Sequence, residues 1–108
     1  MKYEGFTTFT TTQSGGVLTV TFDFGPVNVQ GQEMLADLNS LAMRLERDKN
    51  TNVVIFQSAN PEIWVCHYDT ELLKDMSVEV VSRDEAKLLD LQSICERLSK
   101  VPKATIAK

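Results

Sequence analysis

The chain contains 108 residues, of which 43% are hydrophobic, and carries a formal net charge of −4. This length suffices for one modest hydrophobic core and is too short for two ordinary domains, so we expect a single globular unit. An acidic chain without a clustered basic face is not expected to bind nucleic acid. With no apolar stretch approaching roughly 20 residues and a polar start, the chain is expected to stay out of the membrane, in the cytoplasm.

Two strands are predicted near the start of the chain. Residues 5–13 are rich in threonine, and residues 17–24 alternate between apolar and polar side chains, which is typical of strands with one buried face. Ser14, Gly15 and Gly16 lie between them and tolerate the positive φ of a tight hairpin turn. The side chains expected on the buried face of the second strand are Leu18, Val20, Phe22 and Phe24.

A long amphipathic helix and a buried strand are predicted next. Gly25 and Pro26 end the second strand, and apolar side chains at helical spacing indicate a helix over residues 31–47. Residues 53–56 are continuously apolar, which favours a parallel strand buried on both faces. The apolar stripe of the helix consists of Met34, Leu35, Leu38, Leu41, Ala42 and Leu45.

The second half of the chain predicts a loop, a second helix and a last strand. Residues 58–62 are expected to form the loop, and a short helix that includes Leu72 follows it. Ser82 and Glu85 have the spacing of a capping box for a helix that Pro102 ends. The stripe of that helix is Leu88, Leu91, Cys95 and Leu98, and residues 104–107 resemble a strand.

Adjacent Cys66 and His67 suggest a nucleophile with its base, because a nearby imidazole can lower the pKa of a thiol. Adjacent side chains in an extended segment point to opposite faces, however, so a buried thiol beside a partly exposed imidazole is favoured. A metal site made from Cys66, His67, Cys95 and a carboxylate matches no recognised zinc spacing. Both cysteines are expected to be free thiols in a reducing compartment.

Three segments, taken in order, resemble the front half of the crotonase superfamily, the enoyl-CoA hydratase/isomerase family. Residues 16–22 followed by 26–29 (Pro-Val-Asn-Val) resemble the opening strands and the turn into the first long helix. Residues 53–57 followed by 64–69 (Trp-Val-Cys-His-Tyr-Asp) resemble the next strand and the motif after it. Residues 101–106 resemble the strand that precedes a Gly-rich segment in full-length members.

The resemblance implies an α/β fold, a partial crotonase-type ββα spiral in which residues 1–108 form the N-terminal part of a crotonase-like domain, cut short after Lys108. It implies acyl-CoA chemistry through a stabilised thioester enolate, such as hydration or double-bond isomerisation. Coenzyme A is then part of the substrate, and no metal or redox cofactor is expected. Full-length members are commonly trimers or dimers of trimers, so a homotrimer or hexamer is expected of the full-length protein.

The resemblance also implies roles for individual residues. By residue-by-residue match, Cys66 donates its backbone N–H to the thioester oxygen, where enolate-like charge develops. One preorganised donor of this kind is worth roughly 3 to 4 kcal/mol. The substrate-binding residues implied by the match are Val27, Cys66, His67, Tyr68 and Asp69.

Two departures from the family pattern lie in the motif itself, because His67 stands where the family has Gly and Tyr68 where it has a small residue. His67 is expected to keep the glycine-like backbone shape, to line the acyl pocket, or to mark different chemistry. The second oxyanion donor and the acid/base carboxylates of the family lie beyond the matched region, so this segment alone is expected to be inactive. The alternative is a noncatalytic crotonase-like protein or fragment with a binding or assembly role.

Overall fold

The structure is a computed structural model, and it describes residues 3–75 and 90–108. Its elements are β1 (Phe9–Ser14), β2 (Val17–Phe22), α1 (Gln32–Arg47), β3 (Val53–Ser58), a short 3-10 helix (Thr70–Asp75), α2 (Asp90–Ser99) and β4 (Ala104–Ala107). The strands form one sheet in the order β1-β2-β3-β4. The mixed architecture confirms the predicted α/β class.

The first hairpin closes as the glycine pair predicts. Strands β1 and β2 pair antiparallel, with Ser14 opposite Val17, so Gly15 and Gly16 alone form the turn. Gly15 has a φ of 57°, in the left-handed region that glycine adopts without steric cost. Alternation along β2 buries Leu18, Val20 and Phe22, as predicted.

Both strands of the hairpin are shorter than predicted. For β1, hydrogen bonds just before the strand explain the later start. The backbone N–H groups of Thr7 and Thr8 donate to the Asp37 carboxylate on α1 at 2.8 Å each instead of entering the strand ladder. Strand β1 therefore begins only at Phe9. Phe24, predicted to continue the buried face of β2, lies beyond the strand end and is half-buried.

Parallel pairing builds the rest of the sheet. Strand β3 pairs in parallel with β2 on one side and with β4 on the other. The prediction that β3 is buried on both faces is wrong, because Val54 is buried whereas Val53 and Ile55 on the opposite face are only half-buried. Only alternate residues of β3 face the core, as in a strand with one covered face.

The hydrophobic core lies between the sheet and α1, whose predicted bounds differ from the observed ones by a single residue. Of the predicted stripe, five side chains are buried and Leu38 is half-buried against the core. Core clusters of this kind supply most of the stability of small domains. The buried core cluster consists of Tyr3, Phe9, Leu18, Val20, Phe22, Met34, Leu41, Leu45, Val54 and Val101.

The last two elements lie at the periphery. None of the described residues of α2 is buried, and all four residues of β4 are exposed. The predicted core-facing stripe of α2 is therefore wrong: Leu91 and Leu98 are half-buried and Cys95 is exposed. The predicted capping box at Ser82 and the stripe residue Leu88 lie outside the described residues.

Candidate functional site

The turn that leads from β2 into α1 is organised by Asn28. This residue has a φ of 51° and is 2% exposed. Its side-chain Oδ1 accepts a hydrogen bond from Phe24 N at 2.8 Å, and its Nδ2 donates to Ser58 Oγ and to Trp64 O, each at 2.9 Å. One buried amide thus ties the turn, the end of β3 and the following loop together.

The segment 66–69 runs alongside residues 28–30. Asn28 O accepts from Cys66 N at 3.0 Å, Gln30 N donates to His67 O at 3.2 Å, and Gln30 O accepts from Asp69 N at 2.8 Å. Gln30 and Tyr68 form an isolated parallel bridge. Because the donors from Cys66 and Asp69 are three residues apart and their acceptors only two, the longer segment bulges between them, which redirects one peptide group.

The hydrogen bonds of this segment show which backbone N–H groups of residues 66–69 already have an acceptor. The N–H of Cys66, which the resemblance assigns to the thioester oxygen, is bonded to Asn28 O in this structure. The donor role of Cys66 stays a prediction, and it requires this hydrogen bond to break because one N–H donates to one acceptor at a time. In the bridge, Gln30 bonds the residues on either side of Tyr68, so the N–H of Tyr68 itself points away from Gln30.

His67 occupies the motif position where glycine was expected, with different geometry. Among the residues that the structure describes, Asn28 is the non-glycine residue with positive φ, so the expectation that His67 keeps a left-handed glycine conformation is wrong. The exposed His67 ring places Nδ1 2.7 Å from Tyr68 O. A carbonyl oxygen only accepts, so Nδ1 carries the proton and Nε2 is open.

The remaining predicted site residues lie on the same two segments. Asp69 begins the 3-10 helix, because its Oδ1 accepts from Glu71 N at 3.0 Å and its carbonyl accepts from Leu72 N at 3.1 Å. Val27 is half-buried in the turn, and the free thiol of Cys66 is also half-buried. All five residues thus lie on two segments that hydrogen-bond to each other, and their substrate-binding roles stay predictions.

Aromatic packing supports the loop that precedes this segment. Trp64, at the aromatic motif position, meets the Phe22 ring edge-on at 5.3 Å while 42% of its surface stays exposed. Ser58 Oγ donates to Ile63 O at 2.7 Å and holds the loop against the end of β3. Sequence reasoning did not identify the contributions of Ser58 or Gln30, since a lone serine and a lone glutamine carry no pattern.

An open groove of about 550 Å³ lies between α1 and α2 and reaches Tyr68. Sequence reasoning missed it as well, because the segment between the two helices carries no motif that predicts their spacing. Both helices contribute polar and apolar side chains to its walls. The lining residues are Gln32, Leu35, Ala36, Asn39, Tyr68, Asp90, Ser93, Ile94 and Arg97.

The described part of the chain shows neither a metal-binding cluster nor a membrane-spanning helix. Within residues 3–75 and 90–108, no group of three or more histidine, cysteine, aspartate or glutamate side chains could hold a metal ion. Over the same part of the chain, no helix combines the length and apolar character needed to cross a lipid bilayer.

Comparison with solved structures finds close structural relatives, whereas no family model and no curated protein matches. A protein from Streptomyces avermitilis assigned as an enoyl-CoA hydratase is 26% identical, with a TM-score of 0.75 over 95% of this chain and 38% of its own. The Bacillus anthracis enoyl-CoA hydratase is 16% identical, with a TM-score of 0.76 over 94% and 39% of the two chains. A methylmalonyl CoA decarboxylase is 16% identical, with a TM-score of 0.73 over 96% and 38%.

The present chain therefore spans well under half the length of the solved structures that it resembles. The two matches at 16% identity establish the fold alone, and the match at 26% identity extends over nearly the whole chain. The chain matches an N-terminal portion of the crotonase fold of enoyl-CoA hydratase/isomerase structures.

Proposed function

We propose that this chain is the acyl-CoA thioester-binding portion of an enoyl-CoA hydratase/isomerase-like enzyme that acts through a stabilised thioester enolate. Coenzyme A enters as part of the substrate, and the full-length protein assembles as a trimer or hexamer. The observation that carries the proposal is the peptide group at Tyr68, which the bridge to Gln30 turns outward. The structural likeness to an enoyl-CoA hydratase at 26% identity supports it.

Tyr68 replaces Cys66 as the donor in this proposal. An oxyanion donor must point at the developing charge before the reaction begins, because reorienting a dipole during the reaction costs free energy. The hydrogen bonds of Gln30 with His67 O and Asp69 N hold the Tyr68 peptide in place from both sides. A backbone donor also explains why a large side chain is tolerated at position 68.

His67 and Tyr68 contribute side chains around that donor. With Nδ1 engaged by Tyr68 O, the His67 ring is fixed close to the peptide that would meet the thioester. Val27 lies in the turn whose end at Asn28 binds Cys66 N, so it is placed to border the same path. Asp69 acts by beginning the 3-10 helix and so fixes the end of the loop.

A noncatalytic crotonase-like protein with an assembly role is the second candidate. The observation that favours it is the exposure of β4, all four residues of which lie open at the edge of the sheet. Exposed strand edges are ready templates for pairing with another polypeptide. Acyl-CoA binding decides between the two candidates, because an assembly role does not require it.

The test is a titration of the isotope-labelled 108-residue chain with crotonyl-CoA, followed by amide resonances. We expect the Tyr68 amide proton to move downfield on binding, since a new hydrogen bond to the thioester oxygen deshields it. The matched control ligand is S-butyl-CoA, a thioether that lacks the carbonyl group. It should bind without this shift.

The Tyr68→Phe variant separates the peptide from the side chain. It keeps the N–H and removes the phenol, so it should show the same amide shift with crotonyl-CoA. A chain with intact dispersed resonances that binds neither ligand contradicts the acyl-CoA proposal and favours the assembly role. Equal Tyr68 shifts with both ligands contradict the oxyanion assignment.

A further inference from the structure

The groove between α1 and α2 begins at the proposed oxyanion donor. Tyr68 both carries the outward N–H and lines the groove. It bridges Gln30, two residues before α1 begins at Gln32, so the groove extends from there along the two helices. A volume of about 550 Å³ falls within the range of about 300 to 1,000 Å³ that is typical of small-molecule sites.

A guanidinium group lies further along this groove. Arg97 Nη1 donates to Asn39 Oδ1 at 2.8 Å, and its Nε lies 3.6 Å from Glu46 Oε1. Asn39 is seven residues beyond Gln32, which places Arg97 about 10 Å along α1 at 1.5 Å per residue. Arginine has five N–H donors, and its Nη2 has no hydrogen-bond partner among the described residues.

The groove is lined by one carboxylate and one guanidinium, which lie well apart. Asp90 also lines it, but it lies seven residues before Arg97 on α2, again about 10 Å along the helix axis. At that separation, an exposed carboxylate interacts only weakly with the guanidinium. The Glu46 contact is long and both partners are more than 40% exposed, so it neutralises Arg97 only in part.

From this arrangement we propose that the groove binds the acyl group of the substrate and that Arg97 selects an acyl chain ending in a carboxylate. The inference rests on the proposed thioester function, since the Tyr68 N–H fixes one end of the substrate. Leu35 and Ile94 contact the methylene groups between the two ends. The Nη2 group of Arg97 can donate charge-assisted hydrogen bonds to a carboxylate, which a terminal methyl group cannot accept.

The phosphates of coenzyme A are the competing anion for Arg97. They carry several negative charges and need several cations, whereas the groove offers one arginine and also contains Asp90. The acyl carboxylate, with a single charge, matches a single guanidinium. The nucleotide end of coenzyme A is therefore assigned to the opposite side of the thioester.

The test compares adipyl-CoA with hexanoyl-CoA, which has the same number of carbon atoms and a methyl group in place of the terminal carboxylate. Calorimetric titration of the 108-residue chain should give about tenfold tighter binding of adipyl-CoA. The Arg97→Met variant keeps most of the apolar stem and should equalise the two affinities without weakening hexanoyl-CoA. Lys100→Met removes an exposed cation of α2 that pairs with Glu96, and it should leave the preference unchanged.

A second variant guards against a folding defect in Arg97→Met. Asn39→Asp keeps the partner of Arg97 and adds a carboxylate to the same end of the groove, so it should favour hexanoyl-CoA. Equal affinities of the unmodified chain for both ligands overturn the inference while the thioester function stands. Uniform weakening of both ligands and of free CoA by Arg97→Met also overturns it and reassigns Arg97 to the phosphates. Binding of neither ligand overturns the thioester function itself.

Discussion

Asn28 connects the turn before α1 with the end of β3 and with the loop that leads to Cys66. Its amide is almost fully buried and serves as acceptor and double donor at once, while its own carbonyl holds Cys66 N. The two donor bonds end on Ser58 Oγ and Trp64 O. Ser58 Oγ already donates its proton to Ile63 O, so it can only accept from Asn28.

Asn28→Asp should therefore destabilise the fold strongly at neutral pH. The substitution is nearly isosteric but replaces both donor hydrogens with a carboxylate oxygen that faces two acceptors in a buried place. We expect a loss of roughly 3 to 5 kcal/mol in the free energy of unfolding. Burial and the facing acceptors raise the folded pKa of the new carboxyl, so this loss should shrink as the pH falls toward 4.

Urea unfolding followed by the fluorescence of Trp64 measures this effect directly. Asn60→Asp is the matched control, since the Asn60 side chain also bonds a backbone carbonyl, that of Pro26, but at an exposed place. Its effect should stay below about 1 kcal/mol with little pH dependence. Equal losses for the two variants, or a loss for Asn28→Asp that does not change with pH, contradict the proposed role of Asn28.

The turn that contains Asn28 could be predicted from the sequence, whereas the direction of the Tyr68 peptide could not. Gly25 and Pro26 end a strand pattern just before a helix pattern, and this local context marks the turn. The Tyr68 N–H, in contrast, points outward because Gln30 bonds to His67 O and to Asp69 N on either side of it. That register depends on pairing between segments almost forty residues apart, and no side-chain pattern specifies it, so the resemblance placed the donor at Cys66 instead.

Helix α1 ends in a buried polar cluster that joins four parts of the chain. Asp48 Oδ2 accepts from Tyr3 OH and from Thr51 Oγ1, each at 2.6 Å, and its Oδ1 accepts from Asn50 N at 2.8 Å. These hydrogen bonds, with that of Thr51 first, hold the pKa of Asp48 well below its usual range. Burial and the bond to Asp48 raise the pKa of Tyr3. Lys103 Nζ, just before β4, donates to Asp48 O.

The low pKa of Asp48 makes the fold sensitive to acid. Because the folded pKa lies below the unfolded value of about 3.9, the stabilisation is complete above about pH 5 and is lost as the pH falls through 4 and below. Asp48→Asn should lower the free energy of unfolding at pH 7 by roughly 3 kcal/mol. It should also flatten the dependence of stability on pH between about 5 and 2.

Urea unfolding at a series of pH values checks both parts of this prediction. Asp23→Asn removes a carboxylate of the same type from an exposed position after β2, and it should leave the acid profile close to that of the unmodified chain. A profile for Asp48→Asn that runs parallel to the unmodified one would show that other carboxylates control the acid sensitivity.

Local periodicity predicted the bounds of α1 and β2 well and failed for α2. The stripe of α1 faces the sheet directly, so each apolar residue at helical spacing has a core to enter. Leu91 and Leu98 of α2 have the same spacing but are only half-buried, and Leu98 lies near Phe56 and Ile106 at the exposed edge of the sheet. Periodicity specifies which face of a helix is apolar, and burial also depends on what lies opposite that face.

Buried residues are concentrated in one part of the molecule, and the last helix and the last strand lie exposed at its periphery. The hairpin, α1 and β3 supply nearly all of the core, and Val101 is the buried residue that the segment between α2 and β4 adds to it. Opening a peripheral segment exposes little apolar surface, so its free energy of opening is below that of global unfolding. The free energy of local opening should therefore be lower for the exposed α2 and β4 than for the elements that form the core.

Amide hydrogen exchange should show two groups of amides in this chain, which differ in their protection against exchange. Amides of α1 and β2 should exchange only through global unfolding, whereas those of α2 and β4 should exchange through easier local opening. Leu41→Ala removes a fully buried side chain of α1 and should lower the protection of α1 and β2 by about 2 to 5 kcal/mol. Protection of α2 should change little, because its opening leaves the core intact.

Leu98→Ala provides the reciprocal experiment, since Leu98 is a half-buried leucine of α2. It should lower the protection of α2 amides and leave those of α1 and β2 unchanged, because the core cluster does not include it. If α2 instead loses protection in step with α1 in the Leu41→Ala variant, the chain unfolds as one cooperative unit. The exposed helix would then be coupled to the core through its polar contacts, of which the bond from Arg97 to Asn39 is the most direct.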